Sequence, residues 1–291
     1  PDPTKPDKTY AKRGAFLSDV DFDPMEWGIP PSIVPQTDTT QLLALGRKTV
    51  QRRGFMPVQG VTHIPYPYAY RPTLAMQPSE EDYGETVVNY LEKVVFKNLV
   101  APEDVAGILV EPIQGEGGIV VPPPGYLSRC AEICRRHDVL LIADEVQTGL
   151  GRTGRLLACD HDGVRPDGLI LGKALGGGLL PVSAFLADRR VMDVFGPGDH
   201  GSTFGGNPLA AAVGTEVLAL LAETRPWERA ERLGERLMAR LRAAALPCVR
   251  EVRGRGLLVG VALDPALADA ADIAERLLAR GIATRDTNGN V

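Results

Sequence analysis

A lysine, an aspartate and a glutamate-bearing loop each follow directly on an apolar run, the position from which side chains do chemistry in open α/β sheets. The lysine is Lys173, in Gly172-Lys173-Ala174-Leu175-Gly176-Gly177-Gly178 after Leu169-Ile170-Leu171. The aspartate is Asp144, which closes Val139-Leu140-Leu141-Ile142-Ala143 and opens Asp144-Glu145-Val146-Gln147-Thr148-Gly149. The loop is Glu111-Pro112-Ile113-Gln114-Gly115-Glu116-Gly117-Gly118, after Ala106 to Val110. A lysine in a partly desolvated pocket has a lowered pKa and forms a Schiff base with an aldehyde. A carboxylate ending an apolar strand is costly unless a cation or hydrogen-bond donor meets it. A protonated pyridine nitrogen is such a partner, and pyridoxal phosphate (PLP) offers both the aldehyde and the nitrogen. Taken singly, Asp144 reads better as a helix N-cap or a partner of Arg152, and Lys173 as a solvated surface amine. Their joint occurrence points to PLP.

Such groups must be held by a sheet. Ala106 to Val110, Val139 to Ala143, Leu169 to Leu171 and Val182 to Ala187 read as buried strands. Apolar spacing from Thr86 to Leu99, and the segments Gly125–His137, Pro208–Ala222 and Trp227–Ala245, read as helices. Continuous apolar runs separated by helices imply a mostly parallel α/β sheet covered on both faces. Downstream, Val249–Val252 and Leu257–Leu263 read as strands about a Gly254-Arg255-Gly256 turn, Ala266–Arg280 as a helix, and Gly281–Thr284 as the start of a strand. Asn288-Gly289 reads as a turn. This part is a partial α+β subdomain. The division expected is an irregular lead-in over 1–60, a large domain over 61–223 and a small domain over 224–291. The segment Val61 to Tyr70 is too proline-rich for helix or central strand; its rings either line a pocket or pack on the core.

Composition narrows the partners. With 32 basic and 37 acidic residues and a net charge of −5, no broad nucleic-acid footprint is expected. No apolar run is long enough to span a bilayer. The four cysteines, Cys130, Cys134, Cys159 and Cys248, lack the neighbours that complete a zinc set, so buried thiols and no metal are expected. Scattered thiols without a targeting segment fit the cytoplasm.

One motif competes. Gly149-Leu150-Gly151-Arg152-Thr153-Gly154 matches the G-x-G-x-x-G of NAD-binding folds, which requires the turn to open a helix. Here Asp144, Glu145 and Gln147 precede the glycines, Arg152 adds bulk inside the loop, and Asp160-His161-Asp162-Gly163 breaks any long helix early. Gly172-Lys173 is no phosphate loop either, since Ala174 stands where Ser or Thr is needed.

From Glu111 to Ala210 the chain resembles the class III aminotransferases of PLP fold type I. Four motifs carry the likeness: Val110 to Gly118, Asp144 to Gly149, Leu171-Gly172-Lys173-Ala174-Leu175, and His200-Gly201-Ser202-Thr203-Phe204-Gly205-Gly206-Asn207-Pro208. The interval from Asp144 to Lys173, 173 − 144 = 29 residues, agrees with the family. The resemblance implies that Lys173 is the Schiff-base lysine and proton shuttle, and that Asp144 pairs with the pyridine nitrogen. It implies that Val146 packs on the ring face and that Gln147 contacts the ring 3-hydroxyl. Thr203 would bind the cofactor phosphate of a neighbouring subunit, so a homodimer with shared sites is implied. Glu116 resembles the glutamate that, in the ornithine and 4-aminobutyrate enzymes, masks a carboxylate-binding arginine.

Within the family the signals divide. Ala158 to Asp167, Leu179 to Ala184 and Arg253 to Leu258 resemble ornithine aminotransferases; Val61 to Tyr70 and Tyr90 to Val105 resemble 4-aminobutyrate aminotransferases. The implied reaction moves an ω-amino group, from ornithine to give glutamate semialdehyde, onto 2-oxoglutarate. The alternatives are 4-aminobutyrate as donor, and an inactive fragment. The resemblance spans roughly Gly46 to Val291. It lacks the Gly-Thr phosphate turn upstream and the Arg-x-x-Pro-Pro strand downstream, so a chain truncated at both ends is expected. In a thermal-shift comparison, PLP is expected to raise the melting temperature and NAD to leave it unchanged; the reverse would favour the dinucleotide reading.

Overall fold

The computed structural model describes residues 60–77, 80–287 and 291. The lead-in over 1–59 and the Asn288-Gly289 turn lie outside the described residues. The rest falls into two bodies: residues 64–192 with 206–291, and residues 60–63 with 193–205.

The larger body is built on a four-stranded sheet of order β1-β2-β3-β4. Its strands are β1 (Gly107–Val110), β2 (Leu140–Asp144), β3 (Gly168–Leu171) and β4 (Ala184–Ala187). β1, β2 and β3 run parallel, in a register that sets Val110 beside Ala143 and Asp144 beside Ile170. All four expected strands are present. β4 is antiparallel to β3, because residues 172–183 hold only a tight turn at Lys173–Gly176 and no crossover helix. Between β2 and β3 the connection holds only a short helical turn at Ala158–His161, yet it is long enough to return the chain parallel.

Two helical segments cover one face of the sheet. α1 (Tyr83–Tyr90) starts at Asp82, whose carboxylate accepts from the Glu85 N–H. It widens into a π-helical turn at Leu91–Val95 and closes with α2 (Phe96–Asn98). α3 (Tyr126–Arg136) starts after Gly125, at φ 77°, and ends on Arg135 and Arg136, where cations favour the helix dipole. Val87, Leu91, Leu127 and Ile133 meet Val110, Leu141 and Ala143 in one buried cluster. A smaller cluster, Leu150, Leu171 and Leu175, receives Leu221. Coverage of both faces is incomplete: Leu109, Phe185 and Leu186 remain 40%, 41% and 46% exposed. Tyr66 packs edge-on to Tyr126, and its hydroxyl donates to the Glu111 and Pro112 carbonyls. The Ile64–Tyr70 part of the proline-rich segment therefore braces the core and the start of the glutamate loop.

α4 (Arg189–Met192) is a single turn. α5 (Pro208–Thr224) is capped by Asn207, and Pro226 opens α6 (Pro226–Ala243) after Arg225, which takes a left-handed conformation. β5 (Val249–Arg255) and β6 (Leu258–Leu263) form an antiparallel hairpin. Gly254 and Arg255 belong to β5, so the turn lies at Gly256-Leu257, one step beyond the expected position. α7 (Ala270–Leu278) is shorter than expected, because Asp269 caps it three residues into the anticipated helix. Gly281–Thr284 forms no strand; among the described residues no neighbouring strand offers it a ladder. In the smaller body, Asp199 accepts from the Gly196 N–H and Ser202 from the Gly205 N–H. No helix of the described residues is long and apolar enough to cross a membrane.

Gly234 shows how the hairpin seats on α6. A Cβ there would lie 1.8 Å from the Gly256 carbonyl oxygen. Gly234→Ala gains about 1 kcal/mol of helix propensity, yet is expected to destabilise by roughly 1–3 kcal/mol through overpacking. Urea unfolding checks the sign.

Candidate active site

Parallel register brings the three sequence motifs to one edge. Asp144 is the last residue of β2, Glu111 follows β1 directly, and Lys173 is two residues beyond β3. Burial pushes the Asp144 carboxyl above its ordinary range, opposed by a hydrogen bond from the Val146 N–H and by the positive charge of Lys173. That bond measures 3.0 Å. Burial likewise raises the Glu111 carboxyl, opposed by the Gly115 N–H at 2.7 Å; Asp144 adds to the rise and Lys173 reduces it. One ammonium therefore serves two half-buried carboxyls across the ends of three neighbouring strands.

Lys173 differs from expectation in one respect. It is exposed, not partly desolvated. It opens its turn in a left-handed conformation, φ 45°. The glycines that follow, Gly176 to Gly178, bring no side chain to cover it. Beneath it, Gly172 keeps the backbone flat: a Cβ at Gly172 would rest 3.4 Å from Val146 Cγ1. Val146 thus lies against the strand end that carries the lysine.

Gln147 and Glu116 meet. The Gln147 amide donates to Glu116 Oε1 at 3.3 Å. Gly115 makes this approach feasible, because a Cβ there would stand 2.1 Å from Gln147 Oε1. Glu116 also pairs with Arg285 at 3.3 Å, and its carbonyl accepts from the Thr287 hydroxyl at 2.7 Å. Lys173, Asp144, Val146, Gln147 and Glu116 are thus gathered at one sheet edge. Thr203 is exposed and lies in the smaller body; its role rests on resemblance alone.

Two carboxylates matter more than the sequence suggested. Glu111 shares the lysine with Asp144. Glu145 is 1% exposed; it accepts from the Cys159 N–H at 2.8 Å and from the Thr148 hydroxyl. The available signal was adjacency. In extended chain leaving a strand, consecutive side chains point opposite ways, so Asp144 at the edge sends Glu145 into the interior. The competing glycine motif loses its basis. Gly149 to Gly154 runs through consecutive turns and opens no α-helix, so a dinucleotide phosphate would meet no α-helix N-terminus there.

The sequence profile described as aminotransferase class-III matches residues 37–291.

The chain belongs to the class-III aminotransferase family.

The match begins somewhat before Gly46, where the resemblance was expected to start. An ornithine aminotransferase of Bacillus cereus is 48% identical over 208 residues, covering 72% of this chain and 52% of the relative. A structure of ornithine aminotransferase from Toxoplasma gondii, crystallised with oxidised glutathione and showing partial occupancy of PLP at its active site, is 49% identical. It aligns with TM-score 0.67, covering 76% of this chain and 51% of that one. An acetylornithine aminotransferase from Elizabethkingia anophelis is 45% identical, with TM-score 0.65, 70% of this chain and 51% of that one. The chain therefore spans about half the length of the relatives it matches, and shares their PLP fold type I architecture.

The raised Asp144 carboxyl fixes a sign. Its folded pKa lies above the unfolded value near 3.9, so the folded state holds the proton more tightly, and ionised Asp144 costs stability as pH rises through its folded pKa. Asp144→Asn keeps the acceptor for Val146. Without cofactor it is expected to be at least as stable as the parent at pH 7, with the gap closing below pH ~3.9. Unfolding curves across pH measure this.

Proposed function

We propose that this class-III aminotransferase chain holds PLP at the sheet edge and transfers the ω-amino group of ornithine to 2-oxoglutarate. The observation that carries the reading is the placement of Lys173 and Asp144 at the carboxyl ends of adjacent parallel strands, with the lysine's charge felt at the Asp144 carboxyl. The residues present fit the ring end of the cofactor. Asp144 is a half-buried acid whose burial outweighs the nearby lysine charge, and a protonated ring nitrogen would give it a direct cationic partner. Lys173 is an exposed amine free to reach an aldehyde. Val146, against Gly172, offers an apolar surface for the ring, and Gln147 an amide for the ring hydroxyl.

PLP, when bound, supplies an electron sink for the substrate's amine-bearing carbon. Asp144 keeps a proton at the ring nitrogen. Lys173 would hold the cofactor aldehyde and, as a general acid–base, would move a proton from the substrate's amine-bearing carbon through its amine. Glu116, held by Gln147 and Arg285, presents a carboxylate beside the site that discourages a second carboxylate and favours an amino end.

Ornithine is preferred because relatives named for it are 48% identical over 72% of the chain. 4-Aminobutyrate remains the alternative donor. We also read Thr203 as a phosphate ligand in a homodimer with shared sites. The chain is read as two functional regions, 61–223 around the cofactor and 224–291 beside it, and as a cytoplasmic protein.

PLP added to the full chain is expected to give an absorption band near the visible–ultraviolet border, and Lys173→Ala to abolish it. A band that survives in the variant would remove Lys173 from its role. Apo-like spectra in excess PLP would mark an inactive remnant. Turnover with ornithine, 4-aminobutyrate and N-acetylornithine, each with 2-oxoglutarate, then ranks the donors.

A further inference from the structure

Arg253 is the most heavily committed cation of the described residues, and no part of the proposed chemistry uses it. It sits on β5 with a side chain 8% exposed. Its Nε donates to the Gly118 carbonyl at 3.1 Å and to the Ile119 carbonyl at 2.9 Å, and one terminal nitrogen donates to Gly118 again. The other terminal nitrogen pairs with Glu251, and the guanidinium lies 5.0 Å from the Tyr68 ring centroid. Each of the three guanidinium nitrogens donates to a partner within the protein. A buried guanidinium is costly, and this degree of satisfaction is what makes it tolerable.

The target of the fork is a turn closed by its own hydrogen bonds but bent through two left-handed residues. Gly118 and Ile119 both donate to the Gly115 carbonyl, at 3.0 Å each. Gly118 has φ 113° and Ile119 φ 51°. A β-branched residue in that left-handed region costs about 1–2 kcal/mol, which contacts from outside the turn help to offset. The hairpin supplies it from both strands. On β5 Arg253 binds the two carbonyls; on β6 Gly260 leaves room for Ile119, whose Cβ would lie 2.9 Å from a Cβ at Gly260. The turn so fixed carries Glu116, and Glu116 receives Gln147.

We propose that Arg253 is a positioning residue of the amino-transfer site: by holding the Gly118–Ile119 carbonyls it sets the Glu116–Gln147 pair, and through Gln147 the seating of the cofactor ring. The chain of contact is Arg253, turn, Glu116, Gln147. The inference rests on the aminotransferase reading only at its last link.

The test separates that link from the others. In the full chain labelled with [15N]glutamine, the Gln147 side-chain amide signals are identified by their loss in Gln147→Ala. Glu116→Gln moves them, and Arg253→Gln is expected to move them likewise, without any cofactor. Unmoved signals in a folded Arg253→Gln overturn the proposal. A fall in melting temperature alone is no support, since a merely structural arginine produces it. PLP titration supplies the second readout: Arg253→Gln is expected to weaken binding about tenfold, and less than twofold once Gln147 is already alanine. Effects that multiply would overturn the route through Gln147. A parent chain that fails to bind PLP defeats the functional reading and leaves the amide signals to judge Arg253. Should Arg253→Gln fail to fold, Arg253→Lys carries the same readouts, because an ammonium keeps the charge and loses the fork.

Discussion

Parallel pairing of β1, β2 and β3 is the constraint from which the site follows. Strands that run the same way finish on the same side, and whatever residue comes next in each must share that side with the others. Here the residues that come next are acids and an amine. Glu111 and Asp144 are drawn half out of water by the sheet that carries them, and Lys173 is the cation that offsets both. An antiparallel β2 would have put Asp144 at the opposite end of the molecule from Lys173. The chemistry therefore depends on strand direction before it depends on any side-chain contact.

Behind the edge stands a second tier of groups that touch no substrate. Glu145 turns inward and ties the start of its loop to the backbone at Cys159. Arg253 reaches from the C-terminal hairpin and fixes the glutamate turn. Gly115 and Gly260 work by absence, each leaving room that a methyl group would fill. The small hairpin, remote in sequence, thus bears directly on a loop that follows the first strand.

Much of this was legible in the sequence, and the unread parts share a cause. Strands announced themselves because their apolar runs are short and continuous, and their ends because a charge follows at once. The antiparallel β4 was hidden: direction depends on the length and conformation of the connection, and Gly172 to Ser183 carries no periodicity to betray a turn. The extra strand at Gly281–Thr284 looked sound locally but lacks a neighbour to bond, and β structure is a property of pairs. The exposure of Lys173 is likewise a matter of what lies over it, which a local run of residues does not record. Glu145 and Arg253 sit within recognisable motifs but show no role there, because a buried charge is recognisable only when its partners, 14 and 135 residues away, are known.

The buried thiols have a practical reading. Cys130 and Cys134 sit on the inward face of α3, and burial pushes both thiols up to about 12. Cys159 is shifted upward as well, with the Glu145 carboxylate beside it. Alkylating reagents attack thiolates, so three of the four cysteines are silent while the core is closed. Cys248, only half covered, is the one open to labelling. The rate at which the other three become reactive is then a clock for the opening of the helical layer, built into the chain and readable without any added probe.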